Sequence, residues 1–340
     1  MKENPIILGI ETSCDETSAA VLRGGELLSN VISSQIEIHR RFGGVVPEIA
    51  SRNHLTAILP VIDEALEKAG VRKTDIDAIG GTYGAGLVGA LLVGVSAAKA
   101  LSYALGIPLY AVNHIEAHIA ANYISDPLLK PPFLSVVASG GHTGVCRVDG
   151  RNDFTMIAST TDDAIGEAFD KVARALGLPY PGGPEIDRAA RDGNPDIKFM
   201  DKKHGKAGEL SYSGLKTAVV NYLHNLEQRG EQPNVSDVCA SFQKTAVDML
   251  VDCAVAAVRK TSISTVAAAG GVSANSYLRR KLSEEGEKNG FRVSFPPLSL
   301  CTDNAAMVAV RALDMMRAGV EPARLDLNAV SYLKIKGRTL

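Results

Sequence analysis

Residues 6–10, Ile-Ile-Leu-Gly-Ile, form an uninterrupted apolar run that predicts a strand buried on both faces. Polar residues 11–17 turn the chain. Residues 19–22 resume an apolar strand, Gly24-Gly25 turn it again, and residues 27–32 make a third strand. Pro47 then opens a helical pattern reaching about residue 68, with Ile49, Leu55, Ile58, Leu59, Ile62 and Leu66 as its apolar stripe. Residues 76–80 predict a strand that ends in glycines. A small-residue apolar helix over 87–104 is stopped by Gly106, and 109–112 is another buried strand leading to Asn113.

The second half repeats this plan. Residues 133–138 predict a buried strand, 139–143 a turn, and 145–148 and 154–158 two more strands. Helical stretches follow, broken at 180–184, and the polar, lysine-rich span 196–210 predicts an exposed loop. Helices over 214–228 and 235–259 precede a strand at 265–269 that ends in Gly270-Gly271. A helix over 274–288 is stopped by Gly290, and the strand at 291–295 delivers the chain to Asp303, which opens the last helix. Strand, glycine pair, helix, glycine, strand, ligand-bearing helix thus describes both 76–118 and 265–303. The pattern predicts an α/β protein of two duplicated lobes around a central cleft, residues 1–128 and 129–302, with the helical segment 303–330 packing back on the first.

Composition narrows the class. With 46% hydrophobic and 22% charged residues, the 340-residue chain has the make-up of a soluble globular protein with room for two cores. Its net charge of −2 gives no global basic field, so nucleic acid would need a local patch or a partner's surface. The best local patch is Lys198, Lys202, Lys203 and Lys206. Five cysteines without a C-x-x-C pair argue for a reducing, cytoplasmic setting and against a disulfide framework or cysteine zinc site. Residues 1–5 lack the shape of a signal peptide. Residues 84–98 are apolar, but Lys99 interrupts them below the roughly 18 residues of a spanning helix, so no membrane is expected.

The chemistry centres on Asn113-His114-Ile115-Glu116-Ala117-His118. On a helix the two histidines are offset by only about 40°, so both imidazoles leave one face one turn apart. Glu116 lies roughly 200° around from His114. It therefore cannot serve as the base that the H-E-x-x-H proteases place next to their first histidine. The duplication brings His114 and His118 from one lobe to face Asp303 from the other. Two histidines and one carboxylate form an open set suited to Fe(II) and acceptable to Zn(II). Ser139-Gly140-Gly141, Gly182-Gly183 and Gly270-Gly271, the last followed by Ser273 and Asn275, are turns whose amides suit close approach of an anion. Neither a P-loop nor a Rossmann glycine motif in its required setting is present. Asp170 and Asp187 are candidates for ribose or substrate hydroxyls.

Eight ordered segments resemble one family: residues 10–18 (IETSCDETS), 113–118 (NHIEAH), 139–143 (SGGHT), 169–171 (FDK), 180–184 (YPGGP), 211–217 (SYSGLKT), 270–275 (GGVSAN) and 302–307 (TDNAAM). Together they are similar to the bacterial TsaD (YgjD/Gcp) family of tRNA threonylcarbamoyltransferases, over about residues 6–317. The resemblance implies the actin/hexokinase/Hsp70 type of fold. It implies one divalent metal, usually iron and sometimes zinc, on His114, His118 and Asp303. It also implies contacts from Val137, Ala138, Ser139, Gly140, Gly141, Asp170, Gly183, Asp187 and Asn275 to threonylcarbamoyl-AMP. Expected partners are tRNA, an inactive TsaB-like paralogue and a small TsaE-like ATPase. The expected reaction moves the threonylcarbamoyl group to the exocyclic amine of adenosine 37 in tRNAs reading codons that begin with adenine. Candidates for a general base are Glu16, Asp15 and His142. The competing readings are a metallopeptidase, an ATPase or sugar kinase of the same fold, and a non-catalytic scaffold.

Overall fold

The computed structural model describes residues 2–200 and 210–335. Lys202, Lys203 and Lys206 of the basic patch lie outside them, whereas Lys198 is exposed. By contact, the chain divides into two units. One comprises Met1–Pro131, Asp149–Phe154 and Pro296–Lys336, and the other chiefly Pro132–Val148 and Thr155–Phe295.

In the first unit β1 (Ile6–Glu11), β2 (Glu16–Arg23) and β3 (Glu26–Ser34) form an antiparallel meander. The short α1 (Ile36–Arg40), which hydrophobic periodicity did not reveal, leads to α2 (Pro47–Ala69). Then come β4 (Ala78–Gly84), α3 (Val88–Leu105), β5 (Leu109–Asn113), α4 (His114–Ala120) and α5 (Asn122–Ser125). β4 and β5 add to β1 in parallel, giving the order β3-β2-β1-β4-β5. Leu8, Ile10, Val21 and Ile79 bury one face of the sheet together with Ile58, Ile62 and Leu66 of α2. Ile7, Leu22, Ala78 and Val112 bury the other with Met307, Val308 and Leu313. Burial on both faces is why β1 reads as a continuous apolar run rather than an alternating one. By length and composition Val88–Leu105, 18 residues with mean hydropathy 1.6, is able to cross a bilayer, so Lys99 does not shorten it as expected. Lys99 lies within the helix, and its ammonium donates to the Leu327 carbonyl at 2.9 Å. Leu91, Val95 and Ala98 of α3 are buried within the unit.

The second unit holds β6 (Phe133–Ala138), most of β7 (Thr143–Gly150) and of β8 (Asp153–Ser159), α6 (Ile165–Ala175), α7 (Gly182–Ala189), α8 (Tyr212–Gln228), α9 (Val235–Thr261), β9 (Thr265–Ala269), α10 (Ser276–Asn289) and β10 (Arg292–Ser294). Its strand order is β10-β9-β6-β7-β8. Read from the other end, this is the order of the first sheet with each strand replaced by its counterpart five later. The duplication inferred from the hydrophobic pattern is therefore a repeat of topology.

From Pro296 the chain belongs to the first unit again, and among the described residues its last helix is α11 (Ala305–Arg317). Two glycines allow α11 to lie close on the sheet. A Cβ on Gly9 would run into the Ala305 carbonyl, and one on Gly80 would stand 2.6 Å from the Ala312 Cβ. Asp303 does not open this helix. It stands two residues before it, and Asn304 is the N-cap, its side-chain oxygen accepting from Met307 N–H at 3.2 Å. Nor does Asp303 come from the opposite lobe, as duplication suggested. It shares a unit with His114 and His118 because the return crossing at Pro296 precedes it.

Candidate metal centre

Three adjacent parallel strands of the first unit, β1, β4 and β5, carry polar side chains toward their carboxyl ends, where ligands of open α/β sheets gather. Glu11 ends β1, Thr82 lies near the end of β4, and β5 runs directly into α4. Asn113 makes that junction sharp. Its side-chain oxygen accepts from Ile115 N–H at 2.9 Å and caps a helix whose first residue is His114.

His114, His118 and Asp303 present one ligand atom each within 4.8 Å of one another. His118 Nε2 lies 3.0 Å and His114 Nε2 3.5 Å from the same Asp303 oxygen. Nδ1 of His118 is buried without a hydrogen-bond partner among the described residues. Two imidazoles converging on one carboxylate oxygen form a group able to hold a metal ion.

The site has an outer layer to which the sequence assigned no role. Glu11 is fully buried. One of its oxygens accepts from Ser13 N–H at 2.6 Å, and the other accepts from the Thr82 hydroxyl at 2.6 Å and from Nδ1 of His114 at 3.2 Å. Ser13 Oγ also lies 3.1 Å from that nitrogen. When the ring is neutral, the carboxylate keeps the His114 proton on Nδ1 and leaves Nε2 turned to Asp303. Burial alone would lower the His114 pKa, but Asp303 and Glu11 outweigh it and hold it at about 9. Burial likewise pushes Asp303 upward, and the two histidines bring it down to about 2. The signal for Glu11 was present in the sequence: a carboxylate ending a wholly apolar strand must find buried partners.

Glu116 leaves the opposite side of α4. Its carboxylate accepts from Nε and Nη2 of Arg311 on α11, each at 2.9 Å. This ion pair ties the helix of both histidines to the helix that follows Asp303. Of the candidate bases, Asp15 and Glu16 lie on the turn beside this centre. Glu16 accepts from the Ser34 hydroxyl at 3.0 Å, and burial, with Asp15 and then Asp303, raises its pKa well above the usual carboxylate value. His142 belongs to the other unit.

That unit gathers the glycine turns. Ser139 N–H donates to the His142 carbonyl at 2.9 Å, closing a turn at the end of β6 (Val137, Ala138) in which Gly140 and Gly141 are exposed. A Cβ on either would meet open space. Gly270, at φ +91°, lies against this turn, a Cβ there standing 2.5 Å from the Ala138 carbonyl. Asp170 accepts from Gly182 N–H at 2.8 Å and fixes the start of α7, whose second residue is Gly183. Asp187 accepts from the Ser276 hydroxyl at 2.6 Å at the start of α10. Asn275 caps α10 through Leu278 N–H at 2.9 Å and donates to the Gln243 side-chain oxygen at 2.7 Å.

The sequence profile of the TsaD family, described as tRNA N6-adenosine threonylcarbamoyltransferase, matches residues 26–310. The chain belongs to the TsaD family. Relatives carrying that description include one from Clostridium perfringens, 53% identical over 99% of this chain and 100% of its own length. Another, from Clostridium botulinum strain 657, is 53% identical over 99% of this chain and 100% of its own. Among solved structures, full-length HypF in its phosphate- and nucleotide-bound form superposes with a TM-score of 0.65 at 17% identity, over 94% of this chain and 48% of that one. The ROK hexokinase of Thermus thermophilus gives 0.52 at 16% identity, over 92% and 100%. At such identities the likeness is one of fold, and this TsaD-family chain has the actin/hexokinase type of fold.

Proposed function

We propose that the chain is a transferase that moves the threonylcarbamoyl group from threonylcarbamoyl-AMP to the exocyclic amine of adenosine 37, in tRNAs reading codons that begin with adenine. The C–N bond forms, the mixed-anhydride C–O bond to phosphate breaks, and AMP leaves with the electron pair. The observation that carries this reading is 53% identity, over essentially the whole length, to relatives described as tRNA N6-adenosine threonylcarbamoyltransferase.

The residues supply roles that such a reaction needs. The exposed amides of Gly140 and Gly141 are suited to the phosphate. Val137, Ala138, Ser139, Asp170, Gly183, Asp187 and Asn275 line or brace the same region, Asp187 and Asn275 by holding the start of α10. His114, His118 and Asp303 would hold one divalent ion, Fe(II) first and Zn(II) second, oriented by Glu11. Such an ion supplies a Lewis acid and a template for donor oxygens. Glu16, Asp15 and His142 are the candidates for taking the proton from the attacking amine. A peptidase of the H-E-x-x-H type would take its base from α4, where the one carboxylate, Glu116, leaves the other side of the helix and is engaged by Arg311. The protein is expected to work in the cytoplasm with a TsaB-like paralogue and a TsaE-like ATPase.

The test is the product. Unmodified tRNA, the chain, its partners and threonylcarbamoyl-AMP labelled in the threonine are incubated, and the digested nucleosides are analysed by mass. Labelled threonylcarbamoyladenosine is expected. Label that stays off the nucleosides while wild-type protein hydrolyses peptides or phosphorylates sugars would overturn the assignment.

A further inference from the structure

The turn beside the metal centre is bonded to a surface for which the reaction described so far has no use. Gln35, immediately before α1, donates its N–H to the Asp15 carbonyl at 3.0 Å. From there α1 and the loop after it stand outward, and they expose Ile38 (37%) and Phe42 (55%), four residues apart. Arg41 is exposed beside them. Arg40, on α1, and Arg52, in the second turn of α2, have 44% and 76% of their side chains exposed and are held by Glu37 and Glu48 in open ion pairs. Such exposed pairs bind weakly and yield readily to a phosphate.

The loop is built rather than loose. His39 is fully buried beneath it and organises it. Its carbonyl accepts from Phe42 N–H at 2.9 Å and from Gly44 N–H at 3.3 Å, and its Nδ1 accepts from Val46 N–H at 3.3 Å. Burial lowers the His39 pKa, which keeps the ring neutral and Nδ1 free to accept. Gly43, at φ +67°, makes the left-handed turn that leaves Phe42 at the tip. An exposed aromatic ring on a loop braced in this way, with Arg40 and Arg41 just before it in the chain, has the features of a stacking platform for an unpaired base.

We propose that Ile38, Phe42 and Arg41, with Arg40 and Arg52, form the anticodon-loop contact of this protein. Phe42 stacks on a base next to the target adenosine, and the arginines face the adjoining phosphates. This rests on the transferase reading above. An adenosine that leaves its stack to reach the metal centre strips its neighbours of a stacking partner, and an aromatic face replaces it. The distance suits this role. Ser13 is bonded to His114, Asp15 is two residues on, and Phe42 lies seven residues beyond Gln35, which puts the ring within roughly 20–25 Å of the histidines. An anticodon loop spans that distance. With the whole chain at −2, an arginine cluster on the same unit as the metal centre is where the nucleic acid finds complementary charge.

The experiment measures the transfer reaction in the complete set of proteins, together with direct tRNA binding as a function of salt. Phe42→Ala is expected to raise the KM for tRNA by about five- to a hundredfold, the range that loss of one base stack gives. Its kcat, donor KM and zinc affinity should stay unchanged, and Phe42→Trp should restore the tRNA KM. Arg41→Ala is expected to reduce the slope of log affinity against log salt by about one unit. This variant carries the test if Phe42→Ala lowers the melting temperature of the free protein. Unchanged tRNA affinity in Phe42→Ala, or an unchanged salt slope in Arg41→Ala, overturns the proposal. So does a Phe42→Ala protein that binds tRNA normally but no longer binds a protein component, since the surface would then belong to that protein. A wild-type protein that binds tRNA yet makes no threonylcarbamoyladenosine refutes the transferase reading instead.

Discussion

Replacing Glu11 by glutamine tests whether the outer layer of the metal centre sets metal affinity. The carboxylate accepts from Ser13 N–H, the Thr82 hydroxyl and His114 Nδ1. A glutamine of nearly the same shape can keep its oxygen on Ser13, but it then presents an NH2 group to Thr82 and His114. The Thr82 hydroxyl can rotate to accept. The His114 Nδ1–H cannot, so the imidazole shifts its proton to Nε2, the nitrogen turned to Asp303 at 3.5 Å. Metal binding then has to reverse that tautomer against the amide. Loss of such an outer partner costs about 10- to 100-fold in metal affinity, or about 1.4–2.7 kcal/mol. Removing the Glu11 charge also lowers the His114 pKa, which eases proton competition at neutral pH and works in the opposite direction. The comparison therefore belongs at about pH 9.5, where wild-type His114, with its pKa of about 9, is mostly neutral. Zinc is titrated against a chromophoric chelator in metal-free wild type and variant, with a thermal melt of each metal-free protein as control. Affinities within twofold of each other would show that Glu11 only fills space and that orientation of His114 comes from packing.

The raised His114 pKa predicts proton release on metal uptake. Below about pH 9 the metal-free ring carries a proton that a ligand nitrogen must give up, so apparent affinity should climb about tenfold per pH unit as the pH rises toward 9 and level there. A flat profile over that window would remove the proton from His114. Two glycines should separate ligand contact from folding. Gly141→Val has open space for its side chain, so the protein should fold normally and lose AMP binding, whereas unchanged AMP affinity by calorimetry would make the turn purely structural. Gly270→Ala, at φ +91° and 2.5 Å from the Ala138 carbonyl, should instead destabilise the fold by about 1–3 kcal/mol in denaturant melts, and an unchanged midpoint would refute the close packing of these two turns.

Local pattern was enough for what depends on near neighbours in the chain. The apolar runs gave the strands because β1, β4, β6 and β9 are buried on both faces. The stripe from Pro47 gave α2 to within a residue. The four-residue spacing of His114 and His118 put both on one helical face, and it put Glu116 on the other. The repeat of strand, glycine, helix and strand exposed the duplication that the two strand orders display. What the pattern missed depends on partners far apart in sequence. α1 has five residues, too few to show a period, and its place is fixed by Asp15. Duplication put Asp303 opposite the histidines. The chain instead returns at Pro296 and lays α11 on Gly9 and Gly80, so Asp303 joins them in one unit. Asp187 and Ser276 meet only in the fold, across 89 positions. Glu11 and His114 meet across 103 positions because β1, β4 and β5 are neighbours. A carboxylate taken out of water must be hydrogen-bonded, which the sequence alone could require of Glu11. The sheet order alone decided that the bond would go to a histidine of the metal centre.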